Sequence, residues 1–513
     1  MKIGYLTLGS RGDTQPHIAF AAELVRAGHE VRLFIYPEYL SLVPTVKGLS
    51  AHVLNQTVAI SMETLAPTIA TGDQTATFNA MFEIQARYFA QDADSVKAAC
   101  EGWADILIFN AVGGHIGMAV TEALNIKVLS VNVQPLLPTR ELFVMGGNTT
   151  LPQFMNMFLW WLLFSKIIFP KVLRRAIAEW KGANGCKLPP LNAWDTAYRF
   201  NLPVILGFSA TSFAPPADWA HFDYAITGDW VLSADDLPEE PAAALVEFLK
   251  AGEEPPLCLC WGSMVHESGE YMTELAVRAL RVIGKRGVVF EGSTGSELFR
   301  LSLNKLDASK PDAAEVAAWA AENVLVTGGV SHEWLFPKVA AVVHHGGAGT
   351  SAACFRSGVP SLVTPFGFDQ FEYARLTVKH GLGPGPLPEF KAMSPEQLGA
   401  ALLASVREPR YKAAAVFLRD QMHRERGTQL AVEAFERMSH RHIWKEEAER
   451  QERGVSHAVA PPSFVCGCFS PWSFACSPRL CWVRRSPAAG TGAAAISTQP
   501  SSLQDNPMRG SNA

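Results

Sequence analysis

The residues whose types and spacing carry the most chemistry are His344-His345-Gly346-Gly347-Ala348-Gly349-Thr350-Ser351, followed by Gly358-Val359-Pro360 and by Asp369-Gln370. An apolar run, Val339 to Val343, leads into them, and a helix-compatible run, Thr350 to Arg356, leads out. A glycine-rich turn lets backbone approach a ligand closely and turn its N–H groups outward. The helix that follows presents unpaired N–H groups and the positive end of its dipole, which together make an anion site. His345 adds a side-chain donor and Thr350 a hydroxyl, so a diphosphate is the guest that suits this turn. The plainer reading is a tight strand-to-helix turn in a parallel sheet. The ordered set of histidine, glycines, hydroxyl and Asp-Gln favours the binding site.

Asp369 and Gln370 follow the short apolar run Leu362 to Pro365. Together they offer acceptors and donors for adjacent hydroxyls, or they stabilise their own turn. A second cluster, Gly9-Ser10-Arg11-Gly12-Asp13, lies at the exit of an apolar strand spanning Ile3 to Leu8. Asp13 there is placed either to take a proton or to cap a helix starting near Gln15.

The elements that must hold these residues follow a repeating pattern. After the first strand, Ile18, Ala22 and Val25 fall on one helical face, and Gly28 closes the helix. Val31 to Tyr36, Asp105 to Asn110 and Val128 to Val133 are further strands, separated by helical segments. A second series begins at Leu257 to Trp261 and continues with Gly287 to Glu291 and Val324 to Val326. Strands alternating with helices predict an α/β fold with doubly wound parallel sheets. Ligands of such sheets sit beyond the carboxyl ends of the strands, where both glycine loops fall.

A stretch rich in Pro, Glu and Asp, 234–256, separates the two series as a hinge candidate. Pro395 to about His442 reads as terminal helices. From 443 the composition shifts to a charged run and then to Pro, Ser, Ala and Gly, which predicts a disordered tail over 443–513. Cys466, Cys468, Cys476 and Cys481 cluster there with spacing too irregular for a zinc site.

The net charge of −5 lacks the basic footprint of a nucleic-acid binder. Nine scattered cysteines fit reduced thiols, and the first residues enter a strand rather than a signal peptide, so a cytoplasmic location is expected. Residues 154–170 form the most apolar stretch, interrupted by Lys166 and Pro170 and followed by Lys171, Arg174 and Arg175. It is marginal for a membrane span, which needs about 20 apolar residues. A core helix, a wall of a greasy pocket, or a segment resting on a membrane surface through 154–175 all fit it better.

The string from His344 to Gln370 resembles the donor-binding signature of UDP-glycosyltransferases with the GT-B fold, and within them the sterol-glucosyltransferase branch. The likeness runs from Lys2 to about Arg437, with the motifs in family order. It implies two Rossmann-like domains facing a central cleft: an acceptor-binding domain over 1–233, a linker over 234–256, and a UDP-sugar-binding domain over 257–442 whose last helices brace the first domain. It also implies inverting transfer of glucose from UDP-glucose to the hydroxyl of a lipophilic acceptor such as a sterol. No metal is implied, and no cofactor beyond the UDP-glucose co-substrate. The apolar segment would then contribute to the acceptor site.

The resemblance assigns roles residue by residue. Asp13 becomes the general base. An ordinary carboxylate, with a pKa of about 3.9, is weak for this unless its surroundings raise that value or the proton leaves late. Ser10, Arg11 and Gly12 lie beside the diphosphate or the sugar. His345 contacts the diphosphate and helps the nucleotide depart, with Ser263, Gly347, Gly349 and Thr350 around the phosphates. Val330 meets the uracil through its backbone, and Trp334 packs behind that site. Asp369 and Gln370 read the sugar hydroxyls. Branches with a His–Asp dyad place the His where Asp13 stands and the Asp about where Asn110 stands, so this chain lacks the dyad. His344 points away from His345 and receives no role.

Two other functions stay open at this stage. A nicotinamide-dependent oxidoreductase would use the opening strand–loop–helix, but the loop is G-x-x-G rather than G-x-G-x-x-G and no acid is cleanly placed on the second strand. A lipid-binding member of the same fold that has lost catalysis would leave Asp13, His345, Asp369 and Gln370 without a task.

Overall fold

Short apolar strands, each followed by a helix, assemble into two parallel sheets. The structure, a computed structural model, describes residues 1–71, 74–142, 151–232, 236, 241–262, 268–291, 300–328, 330–367, 369–388 and 392–453. The first sheet contains β1 (Lys2–Leu6), β2 (Glu30–Ile35), β3 (Leu49–Val53), β4 (Ile106–Asn110), β5 (Lys127–Asn132), β6 (Val204–Leu206) and β7 (Tyr224–Ile226), in the order β3-β2-β1-β4-β5-β6-β7. The second contains β8 (Leu257–Cys260), β9 (Gly287–Phe290), β10 (Val324–Thr327), β11 (Val342–His344) and β12 (Ser361–Val363), in the order β10-β9-β8-β11-β12.

In each sheet the strand order reverses at one point, between β1 and β4 and between β8 and β11. Chains leaving neighbouring strands diverge at such a point and leave a crevice for a ligand. The register puts Ile3 beside Ile106 and Leu6 beside Phe109 in the first sheet, and His344 beside Cys260 and Val363 in the second. Gly9 to Asp13 therefore leave the first crevice, while Gly262 and His345 leave the second.

Both sheets are covered by helices, which is why the strands read as continuous apolar runs. Tyr5, Ile108 and Leu129 are fully buried with Phe20 in the first core. Leu259, Val289 and Val343 are fully buried with Leu280 and Leu402 in the second. The last helices divide between the two lobes. Helix Pro395–Arg407, capped by Ser394 Oγ accepting from the Gln397 N–H at 3.2 Å, packs on the second lobe through Leu398 and Leu402. Helix Gly427–Met438 returns to the first, where Phe435 is completely buried. That one side chain contributes on the order of 2–3 kcal/mol. Ser209 Oγ donates to Glu425 at 2.7 Å, and Arg441 donates to the Asn201 carbonyl at 2.7 Å, pinning the crossing.

Three expectations need adjustment. Disorder was expected from 443, but Ile443–Glu452 is a helix with Ile443, Trp444 and Glu447 buried; its Glu447 pairs with Arg199. An apolar pair at its start outweighs the charged run that suggested a tail. The Cys466–Cys481 cluster lies outside the described residues. The hinge candidate 234–256 contains the helix Ala243–Lys250, anchored by buried Leu245. The apolar stretch is broken: helix Gln153–Leu162 passes through a π-helical turn, Leu163–Ile167, and bends by 58° into helix Lys171–Ala183. Among the described residues no single helix is long and apolar enough to cross a membrane, although this bent pair passes by length and composition. Trp160, Leu163 and Phe164 are buried, while Phe154, Ile167 and Val172 are exposed.

Candidate active site

The loops from both switch points open onto one cavity of about 620 Å³. Its walls include Gly9 to Asp13 from the first lobe and Gly262, His345, Gly347, Gly349, Thr350, Asp369 and Gln370 from the second. A volume of this size suits a small organic ligand or two partial ones.

Asp13 stands in the first turn of helix Arg11–Arg26, not before a helix beginning near Gln15. Its Oδ2 accepts from the Ser10 N–H at 2.9 Å and from Ser10 Oγ at 2.8 Å. This satisfies donors at the helix start, so Asp13 has a local structural task as well as a place in the cavity. Its Oδ1 accepts from Gln134 Nε2 at 2.8 Å. Gly9 has φ of +117°, and a Cβ there would lie 2.7 Å from Asp13 Oδ2, so only glycine lets the loop fold over the carboxylate.

Asn110 does not serve Asp13. Its Oδ1 accepts from the N–H groups of Leu8 at 3.2 Å and Gly113 at 3.0 Å, and its Nδ2 donates to the Leu8 carbonyl at 2.7 Å. It ties the exits of β1 and β4 together. Gln134, which sequence reasoning passed over, is the side chain that orients the carboxylate. Arg11 Nε donates to Gln15 at 2.9 Å. Burial, and after it the Arg11 charge, lowers the basicity of His332 on the other lobe.

On the second lobe, His345 is 7% exposed and its Nδ1 is buried with no hydrogen-bond partner. Its ring is sandwiched by glycines: a Cβ at Gly262 or Gly347 would lie 2.7 or 2.3 Å from it. Burial pushes its pKa down to about 4, so the ring is neutral near pH 7 and has one N–H to give. His344 faces the other way. Its Nε2 meets Ser361 Oγ at 2.8 Å and its Nδ1 accepts from the Gly346 N–H at 3.2 Å, a fully buried strut. Gly347 precedes helix Ala348–Ser357, whose N-terminus opens on the cavity through Ala348, Gly349 and Thr350.

Gly349 does more than line the wall. A Cβ on it would lie 3.3 Å from Gly12 Cα, so the first turns of two helices, one from each lobe, touch backbone to backbone. The same helix is locked to the first lobe at its other end. Arg356, near its C-terminus, pairs with Asp229 of the first lobe and with Glu333. Burial opposes its charge, but Glu333 and Asp229 outweigh that and raise its pKa.

Gln370 is nearly fully buried, and its Oε1 accepts from the N–H groups of Phe366 at 2.7 Å and Gly367 at 3.2 Å. The carbonyl is thus committed to its own turn, which leaves the amide N–H groups for the cavity. Burial pushes the Asp369 carboxyl up to about 7, with the charge of Asp13 across the cleft adding to the effect. Val330 is 3% exposed and lines the end of the cavity bounded by Phe290 and His332. His332 stacks on Phe336 with centroids 4.5 Å apart, and burial lowers its pKa to about 3. Trp334 packs in the core behind, under Lys338. Ser263 lies outside the described residues. Among the described residues no three His, Cys, Asp or Glu side chains are grouped to hold a metal.

Most of the remaining wall comes from the first lobe and is largely apolar. Leu65, Phe78, Phe82, Met118, Leu163, Phe164, Ile168 and Leu232 line it. The π-helical turn places Leu163 and Phe164 there, so the apolar stretch is both core and pocket wall.

Two Rossmann-like lobes sharing a cavity, with a His-Gly-Gly turn feeding a helix N-terminus, define the GT-B class of glycosyltransferases. Residues 3–142 match the glycosyltransferase family 28 N-terminal domain, and residues 306–438 match the erythromycin biosynthesis protein CIII-like C-terminal domain. The chain belongs to this family of GT-B glycosyltransferases. It is 27% identical over 445 residues to a sterol 3-beta-glucosyltransferase of Debaryomyces hansenii, covering 84% of this chain and 26% of that protein. It is also 27% identical over 454 residues to a sterol 3-beta-glucosyltransferase of Arabidopsis thaliana, covering 86% of this chain and 68% of the relative. The chain spans about a quarter to a third of the length of several fungal relatives. Among solved structures, spinosyn forosaminyltransferase SpnP superimposes with a TM-score of 0.57 at 18% identity, covering 86% of this chain and 100% of that one.

Proposed function

We propose that the protein is an inverting transferase that moves glucose from UDP-glucose to the hydroxyl of a lipophilic acceptor of the sterol type. The observation that carries this is the shared cavity, in which Asp13 of one lobe and His345 of the other face the same space while the first lobe supplies an apolar wall. In the reaction the acceptor oxygen attacks the anomeric carbon, the bond from that carbon to the diphosphate oxygen breaks, and the acceptor proton passes to Asp13. Gln134 and Ser10 hold the Asp13 carboxylate in place. The negative charge growing on the departing UDP meets the N-terminus of helix Ala348–Ser357, the His345 N–H and Thr350. Preorganised donors of this kind stabilise developing charge without reorganising.

Donor positions follow the same division. Ser10, Arg11 and Gly12 flank the diphosphate or sugar, and the backbone at Val330 meets the base. Asp369, about half protonated near pH 7, exchanges a hydrogen bond with one sugar hydroxyl, and the Gln370 amide donates to another. Sterol-directed relatives at 27% identity support the acceptor class. A cytoplasmic enzyme reaching a lipid acceptor would rest on the membrane through the exposed side chains of 154–175, among them Phe154, Ile167 and Val172.

The test is to incubate the protein with radiolabelled UDP-glucose and a panel of sterols and to chromatograph the lipid extract. A labelled steryl glucoside is expected. UDP-glucose binding with no labelled lipid from any sterol would reject the acceptor class, and NADH binding with a fluorescence change would reject the reading altogether.

A further inference from the structure

β5 is a central strand of a parallel sheet and ought to be apolar on both faces. One face is: Leu129, Val131 and Val133 enter the core. The other carries Ser130, Asn132 and, just past the strand, Gln134, all three lining the cavity. Alternate residues of a strand share a face, so these form a polar row along a largely apolar cavity wall, to which Gln56, Gln85 and Thr196 add polar groups from other elements. Gln134 has a partner in Asp13. Asn132 is 7% exposed, and its Oδ1 is buried with no hydrogen-bond partner. Among the described residues lining the cavity, the only other orphaned buried side-chain atom is His345 Nδ1, on the donor side. An unmet buried acceptor is costly, and the cost falls when the side chain turns to a ligand that supplies the missing partner.

We infer that Asn132 is a specificity residue that binds a second polar group of the acceptor, so the preferred acceptor is an apolar skeleton with two polar groups rather than a mono-alcohol. This rests on the transferase reading above. The first polar group is the hydroxyl that attacks beside Asp13. The second sits toward that hydroxyl, because Asn132 and the Gln134 that holds Asp13 are alternate residues on one face, their Cα atoms at most about 7 Å apart. A hydroxyl fits best. Turning the Asn132 amide over exchanges an acceptor for a donor, and a hydroxyl answers either.

The experiment compares a 3-hydroxysteroid with counterparts carrying a second hydroxyl on ring A or ring B. UDP release gives kcat/KM, and tryptophan fluorescence gives Kd for the same compounds. Wild type should favour one diol by roughly tenfold, the size expected when a buried acceptor gains its donor. Asn132→Leu should bring the ratio close to one, and Asn132→Asp, which keeps an acceptor oxygen, should preserve part of it. If the leucine variant does not fold, Asn132→Ser gives the same comparison. No diol preference in wild type, or an equal preference in Asn132→Leu, overturns the inference. An Asn132-dependent preference in binding with no glucoside formed would sink the transferase reading and leave the binding role standing.

Discussion

The two lobes present their functional residues in opposite ways. On the second, His345, Gly347, Gly349 and Thr350 come from one turn and one helix start, and the chemistry is local. On the first, the apolar wall is gathered from segments as distant as Leu65, Met118, Phe164 and Leu232. Binding a diphosphate needs backbone N–H groups in a fixed turn, and a short peptide can encode that. Enclosing an apolar body needs surface, and surface is contributed by many elements. Donor and acceptor halves thus differ in how they can change: single substitutions disable the first, whereas the second is retuned by spread-out replacements. Asp13, at the seam, belongs to both.

The largest effect is expected at that seam. Asp13→Asn keeps the size of the side chain and removes the proposed base, so UDP release should fall by about 10²–10⁴-fold. The helix start should lose only about 1 kcal/mol, because Asp13 also closes the first turn. Equal turnover in variant and wild type would reduce Asp13 to its capping task and detach the first lobe from the chemistry.

Arg356 tests whether the lobes are held together by helix Ala348–Ser357. It is buried between Asp229 of the first lobe and Glu333. Arg356→Met leaves two carboxylates facing each other, and breaking a buried pair costs about 3–5 kcal/mol. Denaturant unfolding should show that loss. A change below about 1 kcal/mol, the range of exposed pairs, would mean that the lobes part in solution at this point.

How much of this was legible beforehand follows the same division. The glycine signature, the parallel sheets implied by alternation, and the fall of the His345 and Asp13 loops at the carboxyl ends of their strands could be reasoned from local patterns. Gln134 and Asn132 were visible only as polar residues alternating in a buried strand, a signal with no meaning until β5 is known to be central. The sequence placed Asn110 where other branches carry the dyad Asp but not its task, which is to accept from the Leu8 and Gly113 N–H groups at the strand exits. Gln370 spends its carbonyl on its own turn for the same reason. The contact of Gly12 with Gly349 joins residues far apart in the chain, and no local pattern reports it.

Asp369 gives a pH-dependent measure of the closed arrangement. Its folded-state pKa of about 7 lies above the ordinary carboxyl value. Between roughly pH 4 and pH 7 the folded protein therefore holds a proton that the unfolded chain has released, and stability falls as the pH rises through that window. The contribution is at most about 4 kcal/mol. Asp369→Asn should flatten this slope in unfolding curves. Asp13→Asn should pull the upper edge of this window to lower pH and leave the lower edge, set by the unfolded chain, in place, because after burial the Asp13 charge is the other cause that raises the pKa. A window that ignores Asp13 would place the two carboxyls farther apart in solution.

The smallest expected effect is the most specific to the meeting of the lobes. A methyl group at Gly349 would stand 3.3 Å from Gly12 Cα and 3.4 Å from the Gly12 carbonyl oxygen, so Gly349→Ala must push the two helix starts apart by a few tenths of an ångström. The displacement falls between the base on one lobe and the leaving group on the other, where small errors in alignment are costly. A drop in kcat/KM of roughly tenfold, and no more than about 100-fold, is expected. The matching change on the other side, Gly12→Ala, directs its methyl toward Ser10 Oγ at 3.6 Å, an ordinary contact that leaves the gap alone. If alignment across the seam sets the rate, the two alanines should differ although both sit in the same wall. Equal losses would point instead to backbone flexibility, since both replacements remove a glycine but only one acts as a wedge.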